Sequence, residues 1–333
     1  MDFVTSLFVR KMVAASTLDQ AKLLASVGLS ADATIDPKAM VAATAYYELL
    51  ERIAAETDAT ALPLRTGASM RCDDYGALGL AFKAAPTLRD SYARVARFAR
   101  LWTNVVEYSS ERTDAGTWFN LHRHGPRRLG MRLSNEATLA SAIAIGREVS
   151  PDGQLRAQEV HLTHAPPPTL QQHRDYFDCP VIFNSDRDGI IFANASLDRP
   201  NKLGDQGITQ FLITHLEQEL AQVTSQSQLQ DRIRDLIARS LSEGQPKMDD
   251  IARRLGMSSR SLHRRLSDDG VSFQTLAETT RKELAIGMLG DARFSLSEVA
   301  FLTGFAEQSS FNRAFKRWLG VTPANFRKER GQV

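Results

Sequence analysis

The chain has 333 residues, 43% of them apolar and 24% charged, a balance that excludes a fibrous or wholly disordered protein and leaves room for two domains. Its two cysteines, Cys72 and Cys179, are too few and too far apart for a Cys-rich zinc site or a disulfide framework, and they suit a reducing compartment. The net charge of +2 conceals an asymmetry: residues from Leu229 onward carry 18 Lys+Arg against 13 Asp+Glu, the first 228 residues 23 against 26.

A basic C-terminal third on a mildly acidic body points to a polyanion partner for that third. No apolar run approaches the ~18 residues of a membrane helix, and the start, Met1-Asp2-Phe3-Val4-Thr5, lacks the basic and apolar regions of a secretion signal. The expectation is a soluble, cytoplasmic protein with no membrane partner.

In chain order, Leu18 to Ala25 reads as a helix stopped by Gly28. Asp36-Pro37 offers a cap and a first helical position, from which Met40, Val41, Ala43, Tyr47, Leu50 and Ile53 recur at helical spacing to about Thr57. A third helix is predicted over Thr87–Leu101, with Leu88, Tyr92, Val95 and Phe98 on one stripe and Arg89, Arg94, Arg97 and Arg100 mostly off it. Val105–Tyr108 and Thr117–Leu121 read as a hairpin through Asp114-Ala115-Gly116. Ala137–Val149 is Ala-rich and helical, and Glu159–Thr163, Val181–Asn184 and Ile190–Ala193 are short strands, with Asp188-Gly189 as a turn before the last. Residues 1–205 therefore form an α+β domain, helices first and then an antiparallel sheet. Ile208, Phe211, Leu212, Leu216 and Leu220 share one helical face, a candidate dimerisation helix or a face packed on its own domain; polar Thr224–Gln228 reads as the linker.

From Leu229 the pattern is all-α, and two stretches repeat each other. Ile251-Ala252 and Val299-Ala300 each stand four residues before a glycine, Gly256 or Gly304; a second segment follows with bulky apolar residues four apart, Leu262/Leu266 and Phe311/Phe315. Two helices crossing steeply need a small residue at the contact, and the tight turn between them needs a left-handed backbone that glycine adopts without penalty. The repeat extends to Gly270-Val271-Ser272-Phe273 and Gly320-Val321-Thr322-Pro323, each a turn and cap leading into another helix. These are two predicted helix-turn-helix units, about 248–267 and 296–318, joined by a helix near Gln274–Leu289. Each second helix keeps a donor-rich face: Arg260, Ser261, His263 and Arg264 on one, Gln308, Ser309, Ser310, Asn312 and Arg313 on the other. Arg can bind guanine edges bidentately and Gln or Asn adenine edges, while Arg265, Lys316 and Arg317 are placed for phosphates. A solvated helix face would explain one such unit far better than two in tandem.

Residues 229–330 resemble the DNA-binding domain of the AraC/XylS family of bacterial transcription regulators, above all in the stretch from Gly304-Phe305-Ala306-Glu307-Gln308 through Gly320-Val321-Thr322-Pro323 to Phe326-Arg327. The resemblance implies that Arg260, His263, Arg264, Gln308, Ser309, Ser310 and Arg313 face bases. It also implies promoter DNA and RNA polymerase as partners, with activation the commoner outcome. Ala306 departs from the small polar residue usual there, which weakens a cap on the second reading helix. Tyr75-Gly76-Ala77-Leu78-Gly79-Leu80 and Pro86-Thr87-Leu88-Arg89-Asp90 resemble the family's arabinose-binding type of effector domain, implying a small-molecule effector without specifying arabinose. The helix-then-sheet order is also similar to gas-sensing haem domains, but residues 1–121 hold no His to ligate haem.

Candidate effector contacts are Arg65, Arg71, Tyr75, His122 and His124. His161 and His164, three apart on a strand, would face opposite ways. No metal-spaced His/Cys set, phosphate-binding glycine loop or nucleophile–base pair is present, so neither catalytic residues nor a cofactor are expected. The alternative is an enzyme domain tethered to DNA; alkyl-transfer repair of that kind needs a metal-bound cysteine cluster, which Cys72 and Cys179 cannot supply.

Overall fold

The computed structural model describes residues 2–31, 38–125, 127–241, 244, 246–291 and 293–330. The chain forms two units, one through Ala221 and one from Gln222. In the first, β1 (Phe3–Thr5) leads directly into α1 (Ser6–Ser16), where the Thr5 hydroxyl accepts from the Leu7 N–H at 3.2 Å. Asp19 caps α2 (Gln20–Ala25) in the same manner. β2 (Met40–Ala42) pairs antiparallel with β1, Val41 opposite Val4. Met40 and Val41 thus leave the helix predicted for them, which begins only at α3 (Ala43–Glu56). Their partner strand is distant in sequence and helical spacing carries no trace of it. The predicted Asp36-Pro37 start lies outside the described residues.

α4 (Ala61–Ser69), a 3-10 turn (Cys72–Tyr75), α5 (Ala77–Lys83) and α6 (Leu88–Phe98) complete the first helical layer. α6 opens on a reciprocal cap between Thr87 and Asp90. Arg94, expected off the apolar stripe, is buried, its guanidinium donating to the Ala81 carbonyl. The aliphatic stem supplies apolar surface while the head satisfies a carbonyl.

β3 (Val106–Arg112) and β4 (Thr117–Arg123) form the predicted hairpin. After α7 (Leu129–Val149) come β5 (Glu159–His161), α8 (Gln171–Phe177), β6 (Val181–Ile182), β7 (Asp188–Phe192) and α9 (Asn194–Leu197). The sheet order is β3-β4-β7-β5-β6, antiparallel except for the β5–β6 pair. Asp188-Gly189, predicted as a turn, is the start of β7. The Asp188 carboxylate accepts from Asn135 Nδ2 and the Thr163 N–H, both at 2.8 Å, so a tertiary network outweighs its turn preference. α7 is buried on nearly every side and lies at the centre of the core. Gly67 lets α4 approach it: a Cβ there would lie 2.3 Å from that of Ala140.

α10 runs unbroken from Gln206 to Ser240. Leu212 and Leu216 pack in the first unit against Leu78, Phe98 and Trp102, while Ile233 and Ile237 enter the core of the second. Thr224–Gln228, read as a linker, falls inside this helix. Polar residues cost a helix at most ~0.7 kcal/mol each, and neither Gly nor Pro is present there to stop it. The second unit is all-α: α11 (Met248–Arg254), α12 (Ser259–Asp268), α13 (Phe273–Leu289), α14 (Leu296–Leu302), α15 (Gln308–Leu319) and α16 (Pro323–Arg330). No helix among the described residues is long and apolar enough to cross a membrane.

Candidate nucleic-acid interface and effector cavity

The two repeats fold into the same device twice. Ala252 and Ala300 are buried at the contacts of α11 with α12 and of α14 with α15. Gly256 and Gly304 take φ of +68° and +78°, the left-handed region. In each turn the glycine N–H donates three residues back, Gly256 to Arg253 at 3.0 Å and Gly304 to Phe301 at 2.9 Å. The next residue donates five back, Met257 to Ala252 and Phe305 to Ala300, both at 2.9 Å. This double closure satisfies the carbonyls that end the first helix and aims the second. Leu262 and Leu266, and likewise Phe311 and Phe315, are buried and fix α12 and α15 to their cores.

Of the predicted base-facing residues, Arg260, His263, Arg264, Ser309 and Arg313 are exposed; Gln308 and Ser310 are half-buried, as are Ser261 and Asn312. Gln308 Oε1 accepts from the Ser297 hydroxyl at 2.8 Å and Arg313 donates to the Ser310 hydroxyl at 3.3 Å, so these contacts order the α15 face. Arg265 and Lys316 are exposed. Arg317, the third residue placed for phosphate, is held by Glu278 at 2.7 Å. The start of α12 is capped by Ser258, whose hydroxyl accepts from the Ser261 N–H at 3.1 Å. α15 starts one residue later than Ala306 suggested: its cap position is Glu307, with no side-chain cap bond.

Sequence reasoning missed what fixes the second turn. Arg281 on α13 donates to the carbonyls of Thr303 and Gly304 at 2.8 and 3.1 Å, and its guanidinium lies 3.8 Å over the Phe305 ring. Glu278, one turn earlier, also accepts from Trp318 Nε1 at 2.7 Å. α13 contributes Leu276 to the first core and Ala285 and Leu289 to the second, so one rigid helix spaces both units. An isolated Arg in a helix carries no sequence signal for such a role.

Within the first unit an apolar cavity of ≈ 70 Å³ lies between the helices and the sheet. Tyr75 lines it; Arg65, Arg71, His122 and His124 do not. Arg65 donates to the Ala15 carbonyl and Arg71 to those of Ala68 and Met70. His122 meets the Ser109 hydroxyl at 3.0 Å and His124 lies 3.6 Å from Glu107. The lining that sequence reasoning missed is a polar stripe on α7, Ser134, Thr138 and Ser141. Their i, i+4, i+7 spacing in an otherwise Ala-rich helix was the available signal.

A second buried cluster lies elsewhere in this unit. Glu136 is fully buried, with His164 and His173 each 2.9 Å from its carboxylate and Arg132 at 2.9 Å. Burial alone would raise its pKa, but the close contacts of His164 and His173 and the Arg132 charge prevail and hold the carboxyl down at about 2. His161 pairs separately with Glu159 and Ser185, so His161 and His164 share no site. Among the described residues no group of three His, Cys, Asp or Glu is arranged to hold a metal.

Paired helix-turn-helix units with donor-rich second helices define a DNA-binding protein, and comparison with known proteins specifies which kind. Residues 18–201 match the arabinose-binding N-terminal domain of AraC transcription regulators, and residues 251–329 match a helix-turn-helix domain family. The chain belongs to the AraC family of transcription regulators, with an effector domain of the arabinose-binding type. Similar proteins include the HTH-type transcriptional regulator VirS of Mycobacterium tuberculosis, 27% identical over 87% of this chain and 85% of that one. The ornithine utilization regulator of Pseudomonas aeruginosa is 30% identical over 52% of this chain, a match spanning about half that relative's length. The crystal structure of the transcriptional regulator CdpR from Pseudomonas aeruginosa aligns over 84% of this chain and 90% of its own, at 21% identity and a TM-score of 0.44. VirS and the ornithine utilization regulator are named as regulators, and the tethered-enzyme alternative finds no support there.

Proposed function

We propose that α12 and α15 enter successive major grooves on one face of promoter DNA, ~34 Å or one helical turn apart, so that each chain reads two short elements about 10 bp apart. The carrying observation is the duplicated glycine turn, closed by the same hydrogen bonds in both units, which presents Arg260, His263 and Arg264 on one helix and Arg313 on the other to solvent. Gln308, Ser309 and Ser310 complete the second reading face, and Arg265, Lys316 and Arg317 meet phosphates, Arg317 by exchanging Glu278 for a phosphate. Residues 1–205 sense a small-molecule effector, residues 206–228 connect, and residues 229–330 read DNA in the cytoplasm, recruiting RNA polymerase as an activator.

Arg313→Ala is the direct test. On the site found by genomic footprinting it is expected to cost about 1–3 kcal/mol and relax preference at one base position. Uniform weakening across all sequences would mark Arg313 as a phosphate contact instead. Wild-type binding should also fall steeply with salt through counterion release.

The α10 stripe divides. Leu212 and Leu216 pack on their own unit, while Ile208 and Phe211 are 55% and 72% exposed, a face that suits a homodimer contact. Sedimentation velocity of the full chain should show a dimer, and the Ile208→Ser/Phe211→Ser variant a monomer. A wild-type monomer at high concentration, with or without effector, removes the dimer.

A further inference from the structure

The cavity of the first unit has walls of one chemical character. Phe8, Leu78, Phe82, Trp102 and Phe119 supply apolar surface, and apart from Lys11 and the Cys72 thiol the polar side chains facing it are neutral hydroxyls. On α7 the Thr138 hydroxyl donates to the Ser134 carbonyl at 2.8 Å and Ser141 to the Thr138 carbonyl at 2.9 Å. The phenols of Tyr46, Tyr75 and Tyr108 line the same cavity as Ser134, Thr138 and Ser141. Burial raises all three phenols above their ordinary value, Tyr46 to about 12, so they stay neutral. Lys11 is the cation among the lining residues, and its Nζ is already engaged by Asp74 at 2.6 Å and by the Ser69 carbonyl at 3.1 Å.

We infer that this cavity binds a small, uncharged, predominantly apolar molecule carrying a hydroxyl or carbonyl that meets the phenols and the α7 hydroxyls lining it. The inference rests on the reading of residues 1–205 as a sensor and names the chemical class it senses. An anion would lose its hydration with no uncommitted cation to replace it. A free sugar, hydroxylated all round, would leave most of its hydroxyls against aromatic rings without partners. The open volume of ≈ 70 Å³ limits the ligand to a small molecule.

The wall also has an outer side. Tyr75, Leu78 and Trp102, which line the cavity, pack in the same cluster as Leu212 and Leu216 of α10. A ligand that repositions these side chains alters the seat of the first half of α10, the helix that continues to Ser240.

The test uses the full chain and three probes: benzyl alcohol, its near-isosteric anion benzoate, and L-arabinose. Benzyl alcohol should raise the melting temperature and shift Trp102 emission saturably, benzoate should bind at least tenfold more weakly, and arabinose should give no response. Trp118→Phe/Trp318→Phe isolates the Trp102 signal. Ala137→Leu, which fills the cavity, should abolish the alcohol response. Ser141→Ala, which removes a hydroxyl and folds with minimal volume change, should weaken it several-fold. Benzoate or arabinose binding as tightly as the alcohol, lost in Ala137→Leu, would overturn the ligand class while keeping the site. Saturable binding that survives in folded Ala137→Leu and is unchanged in Ser141→Ala would overturn the site itself. No response to benzyl alcohol at millimolar concentration overturns the proposal; the sensor reading would then still be tested by any metabolite that raises the melting temperature and changes DNA binding.

Discussion

Phe311→Ala will dissolve the second reading unit while sparing the first. The ring is fully buried, with centroids of Phe305 and Phe315 each 5.6 Å away. Its truncation leaves a cavity that so small a helical core cannot close, at about 3–5 kcal/mol. The core around Ala285, Leu289, Val299 and Phe315 loses its centre, and α15 loses the anchor that keeps Arg313 outward. The cluster formed by Ile251, Leu262, Leu266 and Leu276 is separate and persists. The footprint should shrink from two elements to one, and the salt dependence should become shallower because fewer phosphates are neutralised. Leu262→Ala, at about 2–5 kcal/mol, should erase the other element. Loss of both elements in either variant would mean that the two units fold only together.

Glu136→Ala will destabilise the effector domain by about 3 kcal/mol, measured by urea denaturation. Removing this carboxylate leaves His164, His173 and Arg132 without the buried acceptor they share, the cost of breaking a buried pair. The wild type carries a matching pH signature. The folded carboxyl is held at about 2 against an ordinary value of 4.5, so its contribution is fully present above the unfolded value and is lost as pH falls toward the folded one. Between about pH 5 and about pH 2 the unfolded chain takes up a proton that the folded chain refuses. Stability should therefore drop across this window in the wild type and more shallowly in Glu136→Gln. Equal slopes would show that Glu136 is not ionised in the fold.

The DNA-reading half was the more legible in sequence because its determinants are local. Ala252, Gly256 and Leu262 lie within eleven consecutive positions, and each acts through the backbone or contacts of its neighbours. A left-handed glycine and an i, i+4 apolar pair are written in spacing alone. The sensor half hid more. Asp188-Gly189 has the composition of a turn, and only its pairing with β4 and its bonds to Asn135 and Thr163 make it a strand. His164 and His173 converge on Glu136 from separate segments, and no spacing rule connects the three. Arg65 and Arg71, polar and near a helix boundary, attracted attention as effector contacts, whereas Ser134, Thr138 and Ser141 inside an Ala-rich helix carry the polar side of the cavity.

By itself the sequence determined the class of this regulator: two glycine-turned helix pairs, their exposed donors and a basic C-terminal third commit it to DNA. Tertiary structure alone decided the rest: the strand pairing of Met40–Ala42, the unbroken run of α10, the clamp of Arg281 on the Thr303–Gly304 turn and the apolar cavity. The division follows from range. Turn and helix preferences are settled within a few bonds of the residue that expresses them, whereas a cavity wall or a buried charge is defined by whichever distant segments the packing of the whole chain brings against it.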